Sequence, residues 1–393
     1  MRGSLSLQLS LFRRQQTQIS EAVEGASRTF KAYEARYRRR TAGPGRVIRR
    51  SDVGESVRDS DIVYVGDYHT LRLSQRTYLE LVQDSLKDDR RTVLAVEFVE
   101  GRHQALLDAY LRGHLSERAF LGRIGHGAST AYDLWTGFKP VLTFAKEHGL
   151  DVVAIDKRAT GERSLMIRDG YAAQRIAEAA SAKDRPRVMV LMGQFHVAPC
   201  HLPAHVESEL GEMRRKSLVV YQNCDGVWWS LARRGKLEGV DAVRLREGEL
   251  CLLRASPVVC QQSFLDYLEA ERGDEPLGGR SATERFRELA RLIARFVGAD
   301  VRDGIDDVCV ATASDPDFLD EVQTRGGLNR SELSQLRRQI LSRESYYIPR
   351  ARMAYLASLS LNHAAEEAAH FVRHMCVGDS MDAPRRPADA FYA

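Results

Sequence analysis

Four side chains that can bind a metal ion or move a proton occur where apolar segments end. Residues 61–70 read DIVYVGDYHT, and Asp67 and His69 directly follow the apolar run in this segment. Glu97 lies at the end of a second apolar run, and His196 follows a third. Short apolar runs bounded by glycine are typical of buried strands, and ligands of open α/β sheets bind beyond the carboxyl ends of strands. The spacing therefore predicts one site at a sheet edge.

The elements that must position these residues alternate between strand and helix. Amphipathic helical segments separate apolar runs, which predicts a mainly parallel sheet with helices on both faces. The predicted strands are residues 61–66, 92–98, 151–155, 188–192 and 217–222. Short runs within residues 227–255 predict a short antiparallel extension, and the helical period of the rest predicts a helical C-terminal region.

Composition shifts along the chain predict its domain organisation. Seven arginines and no acid lie within residues 36–50, and residues 270–281 read as a linker. The predicted parts are a helical basic segment (1–55), an α/β domain (56–270), a helical region (281–377) and a disordered tail (378–393).

Composition also limits the class of protein. The chain has 393 residues and a formal charge of +4, too small a charge to indicate a nucleic-acid partner. No two of its six cysteines have CxxC spacing, which favours a reducing compartment over a disulfide scaffold. The chain contains no apolar run of about 18 residues, so no transmembrane helix is predicted. The leucines near the amino terminus alternate with polar residues, which predicts no signal peptide and hence a cytoplasmic protein.

A second group of metal-binding residue types lies in the last predicted helix, within the sequence SLNHAAEEAAHFVRHM. His363, Glu367 and His370 fall within an arc of about 100° on this helix, together with Glu366 and His374. This pattern admits two interpretations: a polar face that is solvated or packed over the sheet edge, or a metal site.

Several segments resemble the ChaN-like branch of a superfamily that also includes the Tiki metalloproteases, TraB proteins and erythromycin esterases. The shared pattern is a GExxH-like motif after the first strand, a Glu after the second and a GxxH motif late in the sheet. Here these motifs read GDYH at 66–69, Glu97, and GQFH at 193–196. Residues 94–113 and 139–156 are similar to further segments of the ChaN branch. Asp67 stands where the superfamily usually has Glu.

The resemblance implies a haem or iron site as the leading function, with a histidine or tyrosine bound to iron and arginine paired with the propionates. The residues assigned to this site are Tyr68, His69, Arg72, Tyr132 and His196, with Arg158 also near in the predicted topology.

A hydrolase is the main alternative. His69, Glu97 and His196 would then hold a divalent metal (Fe, Mn or Zn) and lower the pKa of a bound water to about 7, with Asp67 as base or support. Without a metal, His69 would be the general base and Glu97 would orient it. The third alternative is a non-catalytic scaffold. The expected partners are a small molecule or haem, and a second copy of the chain.

Overall fold

The computed structural model describes residues 2–22, 28–125, 134–271, 282–312, 315, 317–343, 345–356 and 361–377. The chain divides into two compact units. One is formed by Val23–Cys260, and the other by Met1–Ala22 together with Gln261–Ala393. The predicted tail and Tyr132 lie outside the described residues, as does most of the predicted linker.

The strands of both units are numbered in chain order. They are β1 (Arg46–Ile48), β2 (Ile62–Asp67), β3 (Thr92–Glu100), β4 (Asp151–Asp156), β5 (Arg187–Gly193), β6 (Ser217–Gln222), β7 (Ala242–Arg246), β8 (Glu249–Leu252), β9 (Cys309–Thr312), β10 (Ser345–Ile348) and β11 (Met353–Leu356).

The helices are numbered in the same way. They are α1 (Arg2–Ala22), α2 (Arg28–Arg40), α3 (Arg50–Arg58), α4 (Arg72–Ser85), α5 (Gln104–Leu111), α6 (Glu117–Ile124), α7 (Trp135–Glu147), α8 (Ser164–Ala180), α9 (Leu202–Leu210), α10 (Asp225–Arg233), α11 (Pro257–Glu271), α12 (Ala282–Val297), α13 (Arg302–Ile305), α14 (Phe318–Gly326), α15 (Arg330–Arg343) and α16 (Leu361–Val377).

The unit of residues 23–260 is built on an eight-stranded sheet with the order β1-β7-β8-β6-β2-β5-β3-β4. Strands β2 to β6 pair in parallel, and β7 pairs antiparallel with β1 and β8. Two separate apolar clusters, one containing Val63, Val65 and Leu94 and the other Ile62 and Tyr64, lie on its two faces. Alternating side chains of a strand point to opposite faces, so a strand covered by helices on both sides is apolar throughout. The predicted fold class is confirmed.

The other unit combines helices with a three-stranded sheet of order β10-β11-β9. Its apolar cluster joins α12 and α16 through Phe286 and Phe371, whose ring centroids are 6.0 Å apart, and includes Tyr347 of β10. Within this unit, Gln15 Nε2 of α1 donates a 2.9 Å hydrogen bond to Gln262 Oε1 of α11.

Two local predictions were wrong. Residues 227–232, expected to join the antiparallel extension, lie in α10, where Val227 and Leu231 bury one helical face. Residues 345–356, expected within the helical region of 281–377, instead contain the hairpin of β10 and β11, and the last helix begins at Leu361. Burial of these β-prone and aromatic side chains decides their conformation, which their local sequence pattern does not show.

The free edge of β4 is covered by a side chain. Gln104 of α5 donates a 2.8 Å hydrogen bond from its amide to the carbonyl of Val152 and accepts one of 2.8 Å from the N–H of Ala154. The amide thus pairs with the strand as a neighbouring strand would. Arg175 of α8 donates to the same Gln104 oxygen at 3.0 Å.

A buried arginine anchors the amino end of β5. Arg187 is fully buried, and its guanidinium donates to the carbonyl oxygens of Arg58, Ser60 and Ser85 and to Asp88, with Nη2–Oδ2 at 2.7 Å. It therefore joins the ends of α3 and α4 to the centre of the sheet.

We expect Arg187→Ala to lower the free energy of unfolding by about 3 kcal/mol, because it leaves several buried acceptors without a donor. The control is Arg91→Ala, which removes exposed ion pairs with Asp151 and Asp184 and should cost about 1 kcal/mol or less. Urea denaturation followed by circular dichroism measures both. Equal losses would contradict the anchoring role of Arg187.

Candidate functional site

The pairing of β2 with β5 brings the two histidine motifs together. Asp67 at the end of β2 lies directly opposite Gly193 at the end of β5, and the N–H of Gln194 donates to the Asp67 carbonyl at 3.1 Å. Each histidine follows within three residues, so both imidazoles leave the sheet at the same edge. This is the carboxyl edge of the parallel strands, as predicted.

Glu97 reaches this edge from β3, the strand on the other side of β5. The pairing of β3 with β4 shifts register between Val96 and Glu100, so Glu97 lies in an irregular part of the strand. A bulge of this kind bends a strand and redirects its side chains, and it is common beside functional sites.

The side chains of His69, Glu97 and His196 converge at Gly193. A Cβ atom added to Gly193 would lie 3.4 Å from Glu97 Oε2, 3.4 Å from His196 Cδ2 and 3.5 Å from His69 Nε2. The absence of a side chain at this position therefore leaves a small space that all three residues border.

Asp67 fixes the orientation of His69. Its Oδ2 atom lies 2.7 Å from His69 Nδ1, while its other oxygen accepts a 2.6 Å hydrogen bond from Gln75 Nε2. A carboxylate at Nδ1 holds the proton on that nitrogen, so Nε2 is the nitrogen that faces Glu97, with 3.7 Å between Nε2 and Glu97 Oε2. The Asp67 side chain is fully buried, whereas 43% of the His69 side chain is exposed.

Glu97 is a buried carboxylate with two donors. Arg168 of α8 donates to Oε1, and the N–H of Gly193 donates to Oε2. Burial alone would raise the pKa of Glu97, but the charges of His69 and Arg168, the interaction with His196 and the hydrogen bond from the Gly193 N–H outweigh burial and lower this pKa. Glu97 is therefore ionised at neutral pH.

Arg168 also binds a second carboxylate. Its Nε atom donates a 2.8 Å hydrogen bond to Asp156 Oδ1 at the end of β4. Burial and the nearby charge of Glu97 raise the pKa of Asp156, although Arg168 opposes them. The Arg168 guanidinium thus bridges the carboxylates of Glu97 and Asp156.

His196 has a buried counterpart to Asp67. Asp169 Oδ1 of α8 lies 2.5 Å from His196 Nδ1, and Asp169 Oδ2 accepts a 2.7 Å hydrogen bond from the Tyr33 hydroxyl of α2. Burial and the charge of Asp169 raise the pKa of Tyr33, so the hydroxyl keeps its proton. The site therefore contains two imidazoles, each held at Nδ1 by its own aspartate.

The other residues assigned to a haem site differ in their surroundings. Tyr68 packs with the apolar cluster of Leu71 and Cys260, and Arg72 is exposed at the first position of α4. Arg158 is exposed in the segment after β4, and Tyr132 lies outside the described residues.

On α16, the predicted second group is partly buried. Glu367 is 1% exposed; it accepts a 2.7 Å hydrogen bond from Ser345 Oγ, and its other oxygen lies 3.2 Å from His370 Nδ1. His363 lies one helical turn before Glu367 and is half-buried. Glu367 thus links α16 to β10 rather than lying on a solvated face.

The part of the chain that the structure describes contains no group of three or more His, Cys, Asp or Glu arranged to hold a metal ion. At the strand-end site the donor set explains this, because the Arg168 guanidinium contacts Glu97 and repels a further cation. Within the same residues no helix is long and apolar enough to cross a membrane.

Comparison with known proteins confirms the resemblance to the ChaN-like family. Residues 53–166 match the family model described as "Haem-binding uptake, Tiki superfamily, ChaN". The match includes Asp67, His69 and Glu97 and ends before Asp169 and His196. A search of curated proteins gave no match.

Two solved structures are similar to part of this chain. One concerns cofacial heme binding to ChaN of Campylobacter jejuni, with 11% identity, a TM-score of 0.34 and coverage of 44% of this chain and 86% of that chain. The other is the type III effector HopBA1, with 18% identity, a TM-score of 0.37 and coverage of 53% of this chain and 95% of that chain.

Sequence reasoning missed Tyr33, Arg168 and Asp169. Tyr33 has the helical spacing of an ordinary apolar residue, and the other two lie within a helix whose polar residues give no signal of burial. Only the packing of α2 and α8 against the sheet brings them to the site.

We expect His69 to keep its proton to higher pH than an ordinary histidine. Burial lowers its pKa, but Glu97 and Asp67 outweigh burial and raise the pKa from 6.5 to about 9. This interaction stabilises the fold fully below pH 6.5 and is lost as the pH rises through about 9. Water screens the charge of the partly exposed His69 ring, so the contribution of this interaction to stability is small.

An NMR titration of the His69 ring protons tests this expectation. Asp67→Asn removes a charge and a charged hydrogen bond and should move the midpoint down toward 6.5. A midpoint that is the same in the wild type and in Asp67→Asn would contradict the assigned cause.

Proposed function

We propose that the strand-end site catalyses hydrolysis by general acid–base chemistry, with His69 and His196 in complementary roles. The observation that supports this proposal is the convergence of two aspartate-held imidazoles and an ionised glutamate around Gly193. Groups of titratable residues with perturbed environments are typical of catalytic sites.

The acid is His69. Its raised pKa keeps a proton on Nε2 at neutral pH, and its partial exposure gives a substrate access to that proton. In the proposed reaction, His69 Nε2–H donates to the leaving-group oxygen of an ester as the bond to the acyl carbon breaks. Asp67 stabilises the imidazolium beforehand and limits rotation of the ring.

The base is His196. In the neutral imidazole, Nδ1 carries the proton that bonds to Asp169, so Nε2 has the free lone pair. In the proposed reaction this nitrogen takes a proton from water while the water oxygen attacks the acyl carbon. Glu97 and Arg168 form a fixed ion pair beside both rings. The charges of Glu97 and Arg168 therefore stay in fixed positions while the proton moves.

We expect His69→Ala and His196→Ala each to lower kcat/KM by about 100-fold or more, since each removes one proton-transfer group. The measurement is turnover of a panel of p-nitrophenyl esters by the purified full chain. His114→Ala, which removes an exposed histidine between α5 and α6, should leave turnover unchanged.

Normal turnover in both site variants would place the activity elsewhere. If the whole panel stays unreacted while the protein binds haem, the second candidate function below is favoured.

Haem binding through His69 is the second candidate, and the family match supports it. A partly exposed imidazole with Nδ1 on a carboxylate has an arrangement that is common among metal-ligating histidines. Arg72 is exposed and has no ion pair among the described residues, so it suits a propionate group. His196 fits less well, because it is buried against Tyr33 and Asp169.

For this candidate we expect haem titration of the full chain to give a Soret band that His69→Ala abolishes and Arg72→Ala weakens. Binding should tighten as the pH rises toward 9, because the proton on His69 competes with iron. His148→Ala, which removes another exposed histidine, is the control. A Soret band that persists unchanged in His69→Ala would rule out this site for haem.

A further inference from the structure

We infer that Tyr33 is a positioning residue that holds His196 in its Nδ1–H tautomer by binding Asp169. Tyr33 belongs to α2, before the residues that match the ChaN-like family model. The inference about the tautomer is independent of any activity, whereas its consequence for turnover rests on the proposed hydrolysis.

The distances determine the tautomer. With His196 Nδ1 and Asp169 Oδ1 only 2.5 Å apart, a proton must lie between them, because two lone pairs at this distance would repel. An ionised aspartate has no proton to give, so the proton belongs to Nδ1. In the neutral ring, Nε2 then carries the lone pair, as a general base requires.

Tyr33 makes this arrangement stable. Its hydroxyl lies 2.7 Å from Asp169 Oδ2 and 3.0 Å from His196 Nδ1. Because Nδ1 already carries a proton, the hydroxyl must donate to Asp169. That bond fixes which oxygen of the buried carboxylate faces the imidazole. Without it, Asp169 could rotate.

The position of Tyr33 is itself held by neighbouring side chains. Its ring is 3% exposed and stacks on His201, with 3.5 Å between ring centroids and 8° between planes. His201 is fixed from both sides, since Nδ1 lies 2.7 Å from the Phe195 carbonyl and Nε2 accepts a 3.2 Å hydrogen bond from Arg36 Nε. Arg36 is also on α2, so the helix holds the ring that orients Tyr33.

The test measures the tautomer of His196 directly, by nitrogen-15 NMR of the imidazole ring in the full chain. The His196 signals are assigned by their loss in His196→Asn. We expect the wild type to give the Nδ1–H pattern and Tyr33→Phe to give the averaged pattern of two tautomers. In Asp169→Asn the side-chain amide would donate to Nδ1, so the pattern should change to Nε2–H.

Tyr37→Phe is the matched control. It removes a buried hydroxyl from the same helix one turn away, where the hydroxyl accepts a hydrogen bond of 2.9 Å from Gln194 and does not contact Asp169. It should leave the His196 tautomer unchanged. If esters are hydrolysed, Tyr33→Phe should lower kcat about tenfold with little change in KM, since the substrate would not contact Tyr33.

Two results would overturn the inference. One is an Nε2–H pattern in the wild type, which needs no variant to fold. The other is a folded Tyr33→Phe protein with an unchanged Nδ1–H pattern. A changed tautomer without hydrolysis of any ester would support the positioning role and contradict the proposed function, so the two can fail separately.

Discussion

The ionised carboxylate of Glu97 is the group on which the rest of the site depends. A carboxylate that is only 6% exposed must replace its lost water with donors and positive charge. Arg168 and the Gly193 N–H supply the donors, and the guanidinium and the His69 ring add positive charge. These partners come from different elements, so α8, β3 and β5 must all be in place for the charge to be tolerated.

The two histidines share one local arrangement and differ in their surroundings. Each has an aspartate at Nδ1, yet 43% of the His69 side chain is exposed and only 7% of the His196 side chain. Solvent can exchange protons with the first ring and is largely kept from the second. Tyr33 of α2 lies 3.0 Å from His196 Nδ1 and contributes to this asymmetry by covering that ring.

Much of this site could be predicted because its residues follow strands. The apolar runs before Asp67 and His196 reveal both strands, and parallel strands bring their carboxyl ends to one edge. The sequence could not reveal Arg168, Asp169 or Tyr33. Their role depends on how two helices pack on the sheet, which has no fixed spacing in the chain. The hairpin of β10 and β11 was missed for a similar reason, since its burial depends on distant residues.

An edge strand with unpaired backbone N–H and C=O groups is a template to which other chains can add a strand. In β4 the outward carbonyl of Val152 and N–H of Ala154 are both engaged by the Gln104 amide, and Arg175 holds that amide in turn. A foreign strand would have to displace this pair before it could bond to either of these two groups. Gln104 therefore occupies backbone groups of Val152 and Ala154 that a second copy of this protein would need in order to add a strand at this part of β4.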